Sequence, residues 1–239
     1  MTKSKEKRRH QERRSAMSAI ILAGAVALLI LGCLRPIAAG VPGSKPRVNA
    51  ADVLEVETLL SGLGYWILKI DGKADASTRH AITAFQKVEG VKRTGVLTPA
   101  ALEALRFART PAARFQTRDL HVEVDLTRQV LFVVDETGAV SHILPISSGS
   151  EAKYFDEGKW QIAHTPRGHF RIERKIDGVR KAPLGNLYYP NYFYAGVAIH
   201  GSNSIPTYPA SHGCVRIPRF ADRAFSKLVK VGTEVFVYD

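Results

Sequence analysis

The apolar residues of this chain change their period once, near residue 118, and a fold built from one kind of secondary structure cannot satisfy both halves. Between 50 and 107 the spacing is helical. Val53, Val56, Leu59 and Leu60 share a face that ends at Gly62 and Gly64. Ser77-Thr78 open a second periodic stretch with Ala81, Ile82, Ala84, Phe85 and Val88, closed by Gly90. Thr98-Pro99 open a third, with Leu102 and Leu105 on its inner face. Proline loses nothing at a first-turn position, because that N–H has no partner in a helix. Three short helices with Asp71-Gly72 as a turn predict a small bundle. From 119 onward the period is two. Leu120, Val122, Val124 and Leu126 alternate with polar residues, Gln129 to Val134 follow as a second strand, Asp135 to Gly138 as a hairpin turn, and Val140 to Ser147 as the returning strand. Phe170 to Arg174, Tyr188 to Tyr194, Gly196 to His200 and Thr233 to Tyr238 read as further strands, with a helix from about Arg219 to Val229. The expected fold class is α+β: a three-helix bundle at 50–107, a connector containing Pro and Arg at 108–118, and a mostly-β, sandwich-like domain at 119–239.

The N-terminal region answers to a different solvent. Residues 15–34 form an uncharged, mostly apolar run. At helical rise, twenty residues span roughly 30 Å, the thickness of a bilayer's hydrocarbon core. The run reads as a transmembrane anchor or signal segment. Cleavage near Ala39, and a lipoprotein-like box at Ile30-Leu31-Gly32-Cys33, stand beside the uncleaved anchor as alternatives. The tail at 1–14 is basic and is expected to stay in the cytoplasm, which exports the remainder. Residues 35–49, with Pro36, Gly40, Pro42, Gly43 and Pro46, read as an extended stalk. Seven Lys and Arg against two Glu in the first fifteen residues supply about five of the net charge of +12. Much of the basic character thus belongs to a tail, which argues against a nucleic-acid partner.

The chain has two cysteines, Cys33 and Cys214. Cys33 lies in or beside the apolar run, so Cys214 is the sole thiol of the exported part and cannot form an intramolecular disulfide there. A lone thiol in an oxidising compartment is explained by nucleophilic chemistry or by inert burial. Its surroundings favour the first. His200 ends a short apolar strand fourteen residues upstream, and Ser211-His212-Gly213-Cys214-Val215-Arg216 surround the sulfur. Acyl transfer through cysteine requires a base, an orienting group for that base, and N–H donors for the oxyanion. His200 is the candidate base. The backbone at Gly213 and Cys214 offers N–H donors. No carboxylate is close in sequence, so a backbone carbonyl or a hydroxyl near Gly201 and Ser202 is expected to orient the imidazole. Arg216 and His212 are positive neighbours that would lower the thiol pKa. Two histidines and one cysteine also suit a metal, but no second cysteine or nearby carboxylate completes a shell, and no metal is expected.

Two resemblances extend this reading. Leu63-Gly64-Tyr65, Asp71-Gly72, Thr78, Ala81-Ile82, Phe85-Gln86, Gly90, Thr94-Gly95, Leu97 and Leu105 resemble the pattern of peptidoglycan-binding helical domains. The run from His200-Gly201 to Ser211-His212-Gly213-Cys214-Val215-Arg216 resembles the signature of the L,D-transpeptidase (YkuD-like) catalytic domain. Val124-Asp125-Leu126, Gln129, Pro145 to Gly149 and Thr165 to Gly168 support the match. The resemblance implies Cys214 as nucleophile, His200 as base, and His212, Gly213 and Ser211 as the pocket. It also implies that Arg216 meets a substrate carboxylate, and Tyr192 is a further candidate for substrate contact. By the same resemblance the partners are peptidoglycan stem peptides and glycan, the product is a 3–3 cross-link, and no cofactor is needed. An L,D-carboxypeptidase, the attachment of an envelope protein to the wall and a non-catalytic wall-binding scaffold are the rival readings. The implied location is the extracytoplasmic face of the cell envelope, with the chain tethered to the inner or plasma membrane.

Overall fold

The computed structural model describes residues 48–156 and 158–239. The expected basic tail, membrane segment and nearly all of the stalk lie outside them. Among the described residues no helix is long and apolar enough to cross a membrane.

Among the described residues three helices come first: α1 (Ala50–Gly62), α2 (Ala76–Val88) and α3 (Pro99–Phe107). Each begins where a side chain meets the amides its first turn leaves unpaired. Asn49 accepts from the Asp52 amide at 3.0 Å while Asp52 accepts from the Asn49 amide at 2.8 Å, a reciprocal capping box. Asp75 caps α2 through the Thr78 amide at 2.9 Å, and Thr98 caps α3 through the Ala101 amide at 3.1 Å. The Asp71-Gly72 turn is held from inside. The buried Glu57 carboxylate accepts from both of its amides, at 2.9 and 2.8 Å, and from the Thr78 hydroxyl at 2.7 Å.

Twelve strands follow in the order β1 (His121–Asp125), β2 (Val130–Val134), β3 (Val140–Pro145), β4 (Lys153–Asp156), β5 (Lys159–Ile162), β6 (Gly168–Arg171), β7 (Arg174–Lys175), β8 (Val179–Ala182), β9 (Gly185–Tyr194), β10 (Val197–Ser202), β11 (Val215–Pro218) and β12 (Glu234–Tyr238). Helix α4 (Arg219–Leu228) lies between the last two. One sheet runs β3-β2-β1-β12-β6, the other β11-β10-β9-β7 with β8 also on β9, and β4 pairs with β5 as a hairpin. The core between the sheets contains Val122, Val124, Leu131, Val133 and Leu144 from the first. Phe193, Ile199, Val215 and Ile217 come from the second, with Ala221 and Phe225 from α4. The hairpin β4–β5 and the strands β8 and β11 have no counterpart among the expected elements.

The helical bundle, the connector and the sandwich pack against one another in one compact unit spanning 46–239. Strand β2 explains why. Its inward residues Leu131 and Val133 serve the sandwich, while Val130, Phe132 and Val134 on the opposite face pack with Leu60, Tyr65, Ala81 and Phe85 of the bundle. The run Val130 to Val134 is apolar at every position, as a strand covered on both faces must be. The segment after α1 extends the sheet edge: the Ile143 amide donates to the Gly64 carbonyl at 2.7 Å and the Trp66 amide to the Ile143 carbonyl at 3.1 Å. The connector is docked too. Glu123, fully buried on β1, accepts from the amides of Arg114 and Phe115 at 3.0 and 2.8 Å, and Phe115 stacks on Phe236 at 4.3 Å.

Candidate active site

Strands β10 and β11 run parallel, with Ile199 opposite Val215 and His200 opposite Arg216. Cys214 immediately precedes β11, so this register brings its sulfur alongside Ala198, whose amide donates to Sγ at 3.4 Å. His200 is buried, and its Nδ1 lies 2.8 Å from the Gly201 carbonyl oxygen. A carbonyl only accepts, so Nδ1 carries the hydrogen and the neutral ring keeps Nε2 bare as a proton acceptor. The Gly201 carbonyl therefore occupies the orienting position. The Ser202 hydroxyl does not touch the ring and donates instead to the Ser204 carbonyl at 3.2 Å. Gly201 admits no side chain, because a Cβ there would fall on Asp222 of α4, 2.5 Å from its Cβ.

The turn carrying the thiol is cross-braced. The Ser211 hydroxyl donates to the Cys214 carbonyl at 2.5 Å and accepts from the Gly213 amide at 3.0 Å. The Thr165 hydroxyl donates to the Gly213 carbonyl at 2.7 Å and accepts from the Gly149 amide at 2.8 Å. Gly213 has φ +132, and a Cβ there would lie 2.9 Å from the His164 carbonyl oxygen. Conformation and space both call for glycine. The sequence reading offered the amides of Gly213 and Cys214 together to an oxyanion. The structure commits the Gly213 amide to Ser211, which leaves that of Cys214. His212 is exposed, its ring set edge-on to Tyr154 at 4.7 Å.

Burial dominates the electrostatics. It lowers the His200 pKa to about 4; the Gly201 contact raises it in part, and Arg216 lowers it further. Burial also raises the Cys214 thiol, against the opposing pull of the Ala198 amide and Arg216. The expectation that positive neighbours leave the thiol acidic is thus reversed, since the cost of desolvating the thiolate exceeds what one arginine returns. Both shifts favour a neutral thiol beside a neutral imidazole.

Residues 119–237 match the model of the L,D-transpeptidase catalytic domain, and residues 49–105 that of a peptidoglycan binding domain. The crystal structure of the L,D-transpeptidase from Xylanimonas cellulosilytica DSM 15894 is 38% identical. The alignment covers 82% of this chain and 97% of that one at a TM-score of 0.73. The chain belongs to the L,D-transpeptidase family. The L,D-transpeptidase of Stackebrandtia nassauensis is 23% identical over 78% of this chain and 90% of its own, with a TM-score of 0.47. No curated protein matches the chain.

Cys214, His200, Ser211, His212, Gly213, Arg216, Ser202 and Tyr192 of this L,D-transpeptidase line one cleft of about 870 Å³. Tyr192, on β9 opposite Ala198, is largely buried and lies under the Arg174 guanidinium at 3.9 Å. Arg216 is half-buried. Tyr154 and Gln161 from the β4–β5 hairpin, and Arg174 from β7, also line the cleft and were not anticipated. Lys153-Tyr154-Phe155-Asp156 has no apolar alternation that would mark Tyr154. Nothing local marks Arg174, which reaches the cleft only because β7 pairs with β9.

Proposed function

We propose that this enzyme forms 3–3 cross-links in peptidoglycan through a thioester on Cys214. The observation that carries the reading is the pairing of β10 with β11, which lays the Cys214 sulfur beside the strand of His200 while the Gly201 carbonyl holds Nδ1–H. The imidazole is thereby a neutral base with Nε2 available. The donor is a tetrapeptide stem. As the Cys214 sulfur bonds to the carbonyl carbon of its third residue, the thiol proton passes to Nε2 of His200. The Cys214 amide receives the oxyanion. Collapse breaks the peptide bond, and the leaving D-alanine amine takes the proton from His200. An amine from a second stem then attacks the thioester, gives its proton to the same nitrogen and releases the thiol. Bond energy is kept in the thioester, so no cofactor enters. Arg216 and the Arg174–Tyr192 pair stand where a stem carboxylate and peptide pass. The peptidoglycan binding domain supports action at the cell wall. Tethering through residues 15–34, with the catalytic part on the extracytoplasmic face, completes the reading.

The test incubates the full-length protein with a defined tetrapeptide muropeptide, with and without an acceptor stem, and reads protein and products by mass. The expected results are a tripeptide adduct on Cys214, a 3–3 dimer when acceptor is present, and neither with Cys214→Ala. Cross-linking retained by Cys214→Ala would remove the nucleophile assignment. Tripeptide and free D-alanine alone, despite acceptor, would replace transfer by hydrolysis.

A further inference from the structure

Lys87, on α2, is fully buried between the bundle and the catalytic sheet. Its Nζ donates to the carbonyls of Gln129 at 3.0 Å and Ile146 at 2.7 Å. Neither partner is a carboxylate. Burial, with a smaller contribution from Arg93, brings the lysine down to about 7. An amine facing only carbonyl dipoles is a costly way to fill apolar space, since methionine or leucine would occupy it without desolvating a charge. Packing of the bundle on β2 and β3 therefore does not account for this residue.

What lies beyond the two carbonyls does. Gln129 has φ +60, a left-handed conformation that is costly for a non-glycine residue and persists where surroundings enforce it. Its carbonyl also accepts from the Ile146 amide at 3.0 Å. Its side chain clasps the next residues of the site: Oε1 accepts from the Ser148 amide at 2.9 Å, and Nε2 donates to the Ser148 hydroxyl and the Leu126 carbonyl, both at 2.7 Å. The segment 146–150 then backs the thiol turn. Ser147 and Arg216 exchange amide-to-carbonyl bonds at 3.1 and 3.0 Å, the Ser148 carbonyl accepts from the amides of Ala210 and Ser211, and the Ser150 amide donates to the Ser211 carbonyl. The lysine holds the start of a chain of contacts whose end is the loop of Cys214.

We infer that Lys87 is a positioning residue for Cys214, acting through Gln129 and Ser148, so that the peptidoglycan binding domain is a structural part of the active site rather than a carrier beside it. The inference rests on the role proposed for Cys214. Its test uses Lys87→Met in the full-length protein at a temperature where the variant is folded. Amide hydrogen exchange at Ser148, Ser211 and Arg216 should quicken about tenfold, roughly one hydrogen bond's worth of local stability, while Val124 and Val237 keep their protection. Alkylation of Cys214 by iodoacetamide, distinguished from Cys33 by peptide mass, should change rate. The kcat for acylation should fall about tenfold or more with little change in KM or in binding to isolated wall, as expected when reacting groups are misplaced without loss of binding. Lys87→Gln, which keeps a donor at shorter reach, should recover part of both. A folded Lys87→Met with unchanged exchange and alkylation would overturn the inference, even if its melting temperature fell. Should that variant not fold, Ser148→Ala cuts the same chain past the lysine, and unchanged exchange at Ser211 would overturn the inference equally. If the wild type never takes a tetrapeptide, the proposed reaction fails, while exchange and alkylation still decide the role of Lys87.

Discussion

The burial of His200 has a consequence that can be read from protein stability without any substrate. Its pKa lies near 6.5 in an unfolded chain and at about 4 in the folded one. Between those values the unfolded chain binds a proton that the folded protein refuses. Stability is therefore full above pH 6.5 and falls as the pH drops toward 4. At about 1.4 kcal/mol per unit, the loss between pH 7 and pH 4 is about 3 kcal/mol for this one group. His200→Asn is the reference, because its side-chain amide can still donate to the Gly201 carbonyl but does not titrate. Urea unfolding of both proteins at pH 7 and pH 4, followed by the fluorescence of Trp66, which packs against His142 at 4.4 Å, gives the difference. His80 and His142, also lowered by burial, contribute alike to both proteins and cancel. The wild type should lose about 3 kcal/mol more than the variant. The same shift puts the acid limb of kcat/KM near pH 4 instead of 6.5, since a neutral imidazole is needed. If both proteins lose the same stability, the imidazole is not desolvated and the neutral-pair description of the site is wrong.

Two substitutions test the bracing of the thiol turn and of the base. Thr165→Val keeps the shape of the side chain but leaves the Gly149 amide and the Gly213 carbonyl without their shared hydroxyl, at about 1–3 kcal/mol each. Denaturant unfolding should show that loss together with slower acylation of Cys214, and a change under about 0.5 kcal/mol would mean the relay carries no load. Gly201→Ala drives a methyl into Asp222 and should cost at least the roughly 1–3 kcal/mol of overpacking while turning the carbonyl that holds His200. A crystal structure of the variant with the Nδ1 contact intact and full activity would show that the carbonyl does not position the ring.

Most of what is local in this protein was legible from its residues. Thr98 begins a helix because a short polar side chain can meet free amides only a few residues on; Asn49 and Asp75 do the same, although the sequence pattern marked Ser77-Thr78 as the second opening and no cap for the first. The alternation after 119 and the Asp135 to Gly138 turn specify a hairpin for a similarly local reason. That His200, Gly213 and Cys214 share one cleft was legible because a strand end and a tight turn put a histidine, a glycine and a thiol within one short stretch. Strand β11 escaped notice because it is short, ends in proline and pairs parallel to β10 across a twelve-residue crossover. The hairpin β4–β5 is short and largely exposed, and so lacks a strong apolar rhythm.

Tertiary structure alone decided three things. It decided which group orients His200, because the Gly201 carbonyl and the Ser202 hydroxyl are both close in sequence and only the folded backbone brings the carbonyl to 2.8 Å from Nδ1 while the hydroxyl turns to Ser204. It decided the sign of the thiol shift, because sequence shows which charges are near whereas desolvation depends on how completely water is removed. And it joined Lys87 to Gln129 and Ile146, residues 42 and 59 positions away, because contacts at that separation are set by how β2 and β3 pack on the bundle and by no local preference of the chain.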